Sequence, residues 1–361
     1  MSVVISVLTI ILILGVLITV HELGHFWAAR LCGIRVREFA IGMGPAFFKR
    51  QKKNEQGEPD GTKFTLRAFP IGGFCDLAED EGADENDPAH FRNKTIWQKI
   101  FVLASGSLMN FIIGFIFFLT LYLSMPSVAM PQIVDLHPDF PYADKIQAGD
   151  RFHSVNGHRL YSFDDYQFFV GRDREKPYTF IMERDGETFT VEGVTRQVND
   201  GTQFGFGYHY NPIVYDEMTT SRSIKHASAS TVSFVRLVWI SLGDLVTGNV
   251  SPKEVMGPVG MTDFVNQVIS EESISTADKI RGMLQLAGLV AVNLAVVNML
   301  PIPALDGGRI VFLFISAFLI IVRKKPLNEK VEGYIHGITM ILLLGLMVLI
   351  FFNDIRRLVG L

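Results

Sequence analysis

Hydrophobic positions along this chain gather into long uninterrupted runs instead of repeating with the period of a soluble helix or strand. Val3–Val20 gives 18 residues without a charge, Ile100–Met125 gives 26 and Met283–Leu305 gives 23. Tyr334–Asn353 is broken only by His336. A bilayer crossing needs about 20 apolar residues, so these four runs predict transmembrane helices. Ile310–Val322 is apolar for only 13 residues and reads as a half-span or interfacial helix. The first run resembles a signal peptide in position, but Met1-Ser2 offers no basic leader and the run is long for a cleaved apolar segment.

Between the second and third runs the pattern changes. Residues 132–198 alternate short β-like stretches with turns: Gln132–Leu136, Arg151–Val155, Tyr178–Glu183 and Thr188–Val191, with Asp185-Gly186 as a hairpin turn. Ser221–Gln267 reads as helical and partly amphipathic, suited to the outer membrane surface. The chain is 48% hydrophobic and only 19% charged, against about 25% charged in soluble domains. With a net charge of −4 and no basic stripe carrying interleaved aromatics, a nucleic-acid partner is not expected. Cys32 and Cys75 have no CxxC or metal spacing and read as packing residues on the reducing side.

Basic residues set the orientation. Arg30, Arg35, Arg37, Lys49, Arg50, Lys52 and Lys53 follow the first run, Arg92, Lys94 and Lys99 precede the second, and Arg323, Lys324, Lys325 and Lys330 precede the fourth. The positive-inside rule puts those segments in the cytoplasm and both termini and the 126–282 segment outside, with Arg356 and Arg357 as the outnumbered exceptions. The acidic run Glu79-Asp80-Glu81 with Asp84, Glu85 and Asp87 reads as a solvated loop in preference to a cation site.

Directly after the first run stands His21-Glu22-Leu23-Gly24-His25, an HExxH on a helix. At i and i+4 the imidazoles share one face, a turn apart, which one zinc ion can bridge, and the glutamate is placed to take a proton from metal-bound water. His21 lies nine residues before Arg30, about 13 Å inside the cytoplasmic face at 1.5 Å per residue. Ionisable groups at that depth cost several kcal/mol unless they pair or ligate. The alternative is a helix ending at Val20 with both histidines in water, but Phe26-Trp27-Ala28-Ala29 continues the helical pattern. Catalytic zinc takes three protein ligands. The other uncommon membrane acid is Asp306, in Asn298-Met299-Leu300-Pro301-Ile302-Pro303-Ala304-Leu305-Asp306-Gly307-Gly308-Arg309, where two prolines break the helix at membrane depth. Its alternative is a structural pairing with Arg309. Asn293 and Asn298 bring amides to the same region, where helix–helix hydrogen bonding is an equal reading.

HExxH in the first span with NxxPxPxLDGG in a later one resembles the site-2-type intramembrane zinc metalloproteases, of the bacterial branch that regulates sigma factors. Phe39-Ala40-Ile41-Gly42-Met43-Gly44-Pro45, Phe69-Pro70-Ile71-Gly72-Gly73-Phe74, Phe91-Arg92-Asn93-Lys94 with Gly106 and Asn110, Gly257-Pro258-Val259-Gly260 and Phe352-Asn353-Asp354 are similar to further family segments. Gly149-Asp150-Arg151-Phe152 leading to Val155-Asn156-Gly157 resembles a PDZ core, with Phe204-Gly205-Phe206-Gly207 as its last strand. The resemblance implies zinc held by His21, His25 and Asp306, Glu22 as general base, and substrate contacts from Asn293, Asn298 and a membrane re-entrant hairpin carrying Pro70, Gly72 and Gly73. An extended substrate strand could add to the hairpin edge.

The expected fold is an α-helical polytopic membrane protein with four transmembrane helices, a re-entrant β hairpin and an inserted extracytoplasmic PDZ-like α+β domain. Its parts are a first helix with HExxH (1–30), a cytoplasmic re-entrant region (31–96), a second helix (97–125), the PDZ domain (126–213), an amphipathic helical segment (214–282), a third span with NxxPxPxLDGG (283–322), a cytoplasmic loop (323–333) and a fourth span (334–353). The implied setting is the bacterial cytoplasmic membrane, with the lipid bilayer as partner and single-span proteins such as anti-sigma factors or remnant signal peptides as substrates. A metal transporter using the same trio and a non-catalytic PDZ scaffold are the rival readings; neither explains Glu22.

Overall fold

A computed structural model describes residues 2–53, 59–77, 87–136, 142–172, 177–195, 197–199, 203–205, 216–249, 257–324 and 327–359. In chain order the elements are α1 (Ser2–Leu31), β1 (Val36–Lys53), β2 (Pro59–Leu77), α2 (Ile96–Ser124), β3 (Ser127–Val128), β4 (Arg151–Val155), β5 (His158–Arg159), α3 (Phe163–Arg172), β6 (Tyr178–Arg184), β7 (Glu187–Val194), β8 (Gln197–Asn199), β9 (Gln203–Gly205), β10 (Asp216–Glu217), α4 (Thr220–Thr247), α5 (Pro258–Ser270), α6 (Thr276–Asn298), α7 (Asp306–Arg323) and α8 (Glu329–Val359). Contacts divide the chain into two units, Met1–Phe117 with Val238–Leu361, and Phe118–Leu237.

Among the described residues, α1, α2, α4, α6 and α8 are long and apolar enough to cross a membrane. The chain is a polytopic membrane protein with a smaller β component. The helix α4 adds to the four runs read from sequence, where Arg236 and Asp244 interrupt its apolar pattern. The run Met283–Leu305 is not one helix. Proline cannot supply the backbone N–H a helix interior needs, and α6 stops at Asn298, three residues before Pro301, with α7 starting afresh at Asp306.

In the first unit β1 and β2 form a long antiparallel pair with several register shifts. Glu38 to Ile41 are flanked on one side by Asp76 to Gly73 and on the other by Lys63 to Leu66. No other strand among the described residues pairs with the outer edge of Gly73–Leu77. Glu38 pins the folded-back hairpin, taking hydrogen bonds from Lys63 Nζ (2.9 Å), Thr65 Oγ1 (2.7 Å) and Arg67 (2.6 Å). Gly72 sits at φ +88°, where a Cβ would also fall 2.9 Å from Met43 Cγ. The helices α1 and α2 and the hairpin close over Ala28, Ala29, Ile34, Val36, Leu77 and Val102. A second cluster joins α1, α5 and α6 through Ile10, Val265 and Leu286. The GPVG and FND segments meet: buried Asp354 of α8 accepts from the N–H groups of Gly257 (3.3 Å) and Gly260 (2.9 Å) at the start of α5, meeting the donors that a helix N-terminus leaves open.

The second unit carries an antiparallel sheet in the order β5-β4-β6-β7. Strands β6 and β7 join through Asp185 and Gly186 at φ +51° and +86°, the doubly left-handed turn that matches strand twist. Phe152, Tyr166, Phe169, Tyr178 and Phe180 are buried between this sheet and α3. Gln132–Leu136 is not a strand; Gln132 makes a single bridge to Arg151. The strand β9 pairs with β8 instead of returning to the sheet, and Phe206-Gly207 lie outside the described residues. So do Glu79-Asp80-Glu81, Asp84 and Glu85, while Asp87 pairs with Arg35 at 3.2 Å.

Candidate metal centre

Because α1 runs on to Leu31, His21 and His25 sit inside a continuous helix and not in water beyond its end. Their rings lie edge to face with centroids 4.7 Å apart. Asp306 enters as the first residue of α7, where the positive end of the helix dipole favours a carboxylate. Gly307 and Gly308 let that turn close tightly; a Cβ on Gly307 would run into the carbonyls of Met299 and Leu300, and one on Gly308 would meet Pro303 N at 2.8 Å. Arg309 does not pair with Asp306 but places its guanidinium 5.9 Å from the Phe91 ring.

The three groups converge. Asp306 Oδ2 is 3.1 Å from His21 Nε2 and 3.3 Å from His25 Nε2, and the two Nε2 atoms are 3.1 Å apart. The side chains are 12%, 10% and 16% exposed for His21, His25 and Asp306. Ligands bound tetrahedrally at zinc distances of 2.0–2.1 Å stand about 3.3 Å from one another, so the triangle has zinc dimensions. The tautomers that its hydrogen-bond partners favour agree. His25 Nδ1 donates to the Val102 carbonyl at 2.8 Å, leaving Nε2 with its lone pair. Asp306 Oδ2 is buried without a hydrogen bond. Asn110 presents its amide to His21 Nδ1 at 3.4 Å, and its Oδ1 is buried without a partner. Turning that oxygen to His21 satisfies it with the Nδ1–H and frees Nε2. Three lone pairs then face one point, which suits a divalent cation.

Gly106 of α2 makes room for the pair, since a Cβ there would stand 2.6 Å from His21 Cε1 and 2.7 Å from His25 Cε1. Glu22 faces the hairpin. A backbone hydrogen bond joins its carboxylate to Cys75 of β2, and its Cγ would be 3.6 Å from a Cβ on Gly73. Pro70 and Gly72 line a cavity of about 400 Å³ with Gly15, Val16, Thr19 and Val20 of α1. Asn293 is exposed and Asn298 half-buried at the end of α6. Neither makes a side-chain hydrogen bond among the described residues, so they are not joined to the trio. The sequence named Asn110 only as part of a motif, although a polar amide amid the α2 run was itself a signal.

A polytopic membrane protein with HExxH imidazoles and a distant carboxylate gathered at zinc spacing falls in the class of membrane zinc metallopeptidases. Residues 9–346 match peptidase family M50, and the chain belongs to that family, the site-2-type zinc metalloendopeptidases. It is 31% identical to the zinc metalloprotease RasP of Bacillus licheniformis over 98% of this chain and 99% of the relative. A putative zinc metalloprotease of Clostridium acetobutylicum is 31% identical over 97% of each chain. The regulator of sigma-W protease RasP of Bacillus subtilis is 28% identical over 98% of this chain and 99% of its own length.

Proposed function

We propose that His21, His25 and Asp306 hold the zinc ion and that Glu22 is the general base of an intramembrane endopeptidase. The observation that carries this reading is the triangle of Nε2, Nε2 and Oδ2 atoms 3.1–3.3 Å apart. Zinc, when bound, supplies a Lewis acid for the scissile carbonyl and makes water acidic enough to attack near neutral pH. Glu22 accepts the proton of the attacking water and returns it to the leaving amine, so the carboxylate ends as it began while one C–N bond breaks and one C–O bond forms. The open edge of Gly73–Leu77, bonded to Glu22 through Cys75, receives the unwound substrate as an added strand beside that base. Pro70, Gly72 and Gly73 shape this edge, and Asn293 and Asn298 contact the substrate strand or its oxyanion.

The substrates are single-span membrane proteins such as anti-sigma factors or remnant signal peptides. The name of the Bacillus subtilis relative, a regulator of sigma-W protease, supports the first of these. Four spans cross the bacterial cytoplasmic membrane, formed by α1, α2, α6 with α7, and α8, with both termini outside. Met43, Phe47, Phe48 and Phe69 are 47%, 73%, 50% and 60% exposed on the hairpin, which supports its insertion into lipid. The helix α4 is not a fifth span in this reading. Its Arg236 pairs with Asp165 of α3 at 2.9 Å, a contact that suits a helix docked on a folded domain, and its Ser230 bonds Tyr122 near the end of α2 at 2.7 Å. That unit, with β4, β6, β7 and α3, is the extracytoplasmic PDZ-like domain.

The test is co-expression of single-span proteins with the wild-type enzyme and with Glu22→Gln, reading cut sites by mass spectrometry and zinc by elemental analysis. The variant keeps its zinc and loses about 10²–10⁴-fold in cleavage rate, the range of a positioned general base. Cleavage at the normal rate would overturn the assignment.

A further inference from the structure

The turn between α6 and α7 contains an unusual residue. Ala304 has φ +79°, a left-handed conformation that a side-chain-bearing residue keeps only where its surroundings hold it. Neighbouring amides are bonded locally: Ile302 N–H to the Leu300 carbonyl (2.7 Å), Leu305 N–H to the Ile302 carbonyl (3.1 Å) and Arg309 N–H to the Leu305 carbonyl (3.1 Å). The Ala304 N–H instead reaches 2.7 Å to Nδ1 of His336, 32 residues away in α8.

His336 is fixed for that task. Its ring packs on Phe312 of α7 with centroids 5.1 Å apart, and its Nε2 faces Glu332 Oε1 at 3.7 Å, one turn earlier in α8. A carboxylate beside Nε2 favours the proton there and leaves Nδ1 as the acceptor. Since Ala304 is two residues before Asp306, its backbone angles set the direction in which the carboxylate leaves the turn.

We infer that His336 is a positioning residue for the metal centre: by accepting the Ala304 N–H it holds the left-handed turn that aims Asp306 at His21 and His25. The inference rests on the proposed role of Asp306 as a ligand. Partners that orient ligands from outside the coordination sphere typically contribute about 10–100-fold in metal affinity, and His336 acts at one remove through the backbone.

The test measures zinc affinity of the full-length protein in detergent by chelator competition, alongside unfolding of the zinc-free form. His336→Phe keeps a ring against Phe312 but offers no acceptor, and it weakens zinc binding about 10-fold or more. His336→Asn, whose Oδ1 can take the place of Nδ1, stays within a few-fold of wild type. Adding Ala304→Gly to His336→Phe restores most of the loss, because glycine takes a positive φ without help. Should His336→Phe not fold, His336→Gln, with its acceptor one bond further out, takes its place with the same expected loss. Asp306→Asn is the control. If it binds zinc as wild type does, the ligand assignment itself falls. If it loses zinc while His336→Phe or His336→Gln binds normally, or if Ala304→Gly rescues nothing, the role of His336 alone falls.

Discussion

Asp165 and Asp306 are both carboxylates drawn out of solvent, one in each unit, with side chains 0% and 16% exposed. Asp165 is fully answered. Its Oδ2 accepts from the backbone N–H groups of Tyr161 (2.6 Å) and Ser162 (3.2 Å), and its Oδ1 meets the Ser233 hydroxyl and Arg236 at 2.9 Å. Asp306 has no such company: its Oδ2 takes no hydrogen bond and faces two imidazole nitrogens. A buried polar group with every partner in place is part of the architecture. One left facing two imidazole nitrogens is a group that a cation could take as a ligand. The same residue type thus serves folding in one unit and, in the proposed reading, chemistry in the other, and the hydrogen-bond account separates the two roles.

Truncating each aspartate breaks the comparison most sharply. Asp165→Ala leaves Arg236 without its carboxylate and two backbone donors without an acceptor, so it costs the second unit about 3–5 kcal/mol. In zinc-free protein Asp306→Ala costs less, since its Oδ2 faces two imidazole nitrogens and not a guanidinium with backbone donors. Zinc binding reverses the order: Asp306→Ala loses it and Asp165→Ala keeps it. Thermal unfolding of both variants with and without a chelator measures this. Equal destabilisation of the zinc-free forms would erase the distinction.

A milder perturbation sharpens the picture of the metal side. If Asn110 orients His21 by accepting its Nδ1–H, Asn110→Ala weakens zinc binding about 10–100-fold with the fold intact, and Asn110→Asp, which keeps an acceptor, restores it. Chelator competition reads the effect. Unchanged affinity in Asn110→Ala would reduce that contact to packing.

How legible these two sites were in the sequence differs for a physical reason. HExxH is local, because i and i+4 on one helix settle which side chains meet, and His21 and His25 do meet. Asp306 was reachable because a charged group after a proline-broken apolar run is costly in lipid and so calls for a partner. The hairpin's folded-back register, which flanks Glu38–Ile41 on both sides, is set by tertiary pairing that no local pattern encodes. The same holds for His336, whose partner lies 32 residues away. The helix α3 was missed although its signal was present: Ser162 Oγ accepts from Asp165 N–H (3.2 Å) while Asp165 accepts from Ser162 N–H (3.2 Å). That reciprocal pair is a capping box, and Ser162-Phe163-Asp164-Asp165 spells it. The stretch Gln132–Leu136 has strand-like alternation yet makes only the one bridge, because apolar alternation alone does not supply a neighbouring strand to pair with.

The smallest effect concerns the neighbour of the satisfied aspartate. Burial, and then the charge of Asp165, push the Asp164 carboxyl up from 3.8 to about 6. A folded-state value above the unfolded one means that the folded chain holds the proton more tightly, so the stabilisation from this group is complete below 3.8 and is lost as pH rises through about 6. The second unit is therefore expected to gain protection between pH 7 and pH 4.5 from this residue, opposite in sign to the loss that ordinary paired carboxylates cause on acidification. Hydrogen exchange of the β6 and β7 amides in the full chain, corrected for the intrinsic rate at each pH, reads it, and Asp164→Asn should flatten that part of the pH dependence while leaving the Asp165 contacts in place. An unaltered pH profile in Asp164→Asn would show that its carboxyl titrates as if it were in water, free of the burial and of the Asp165 charge.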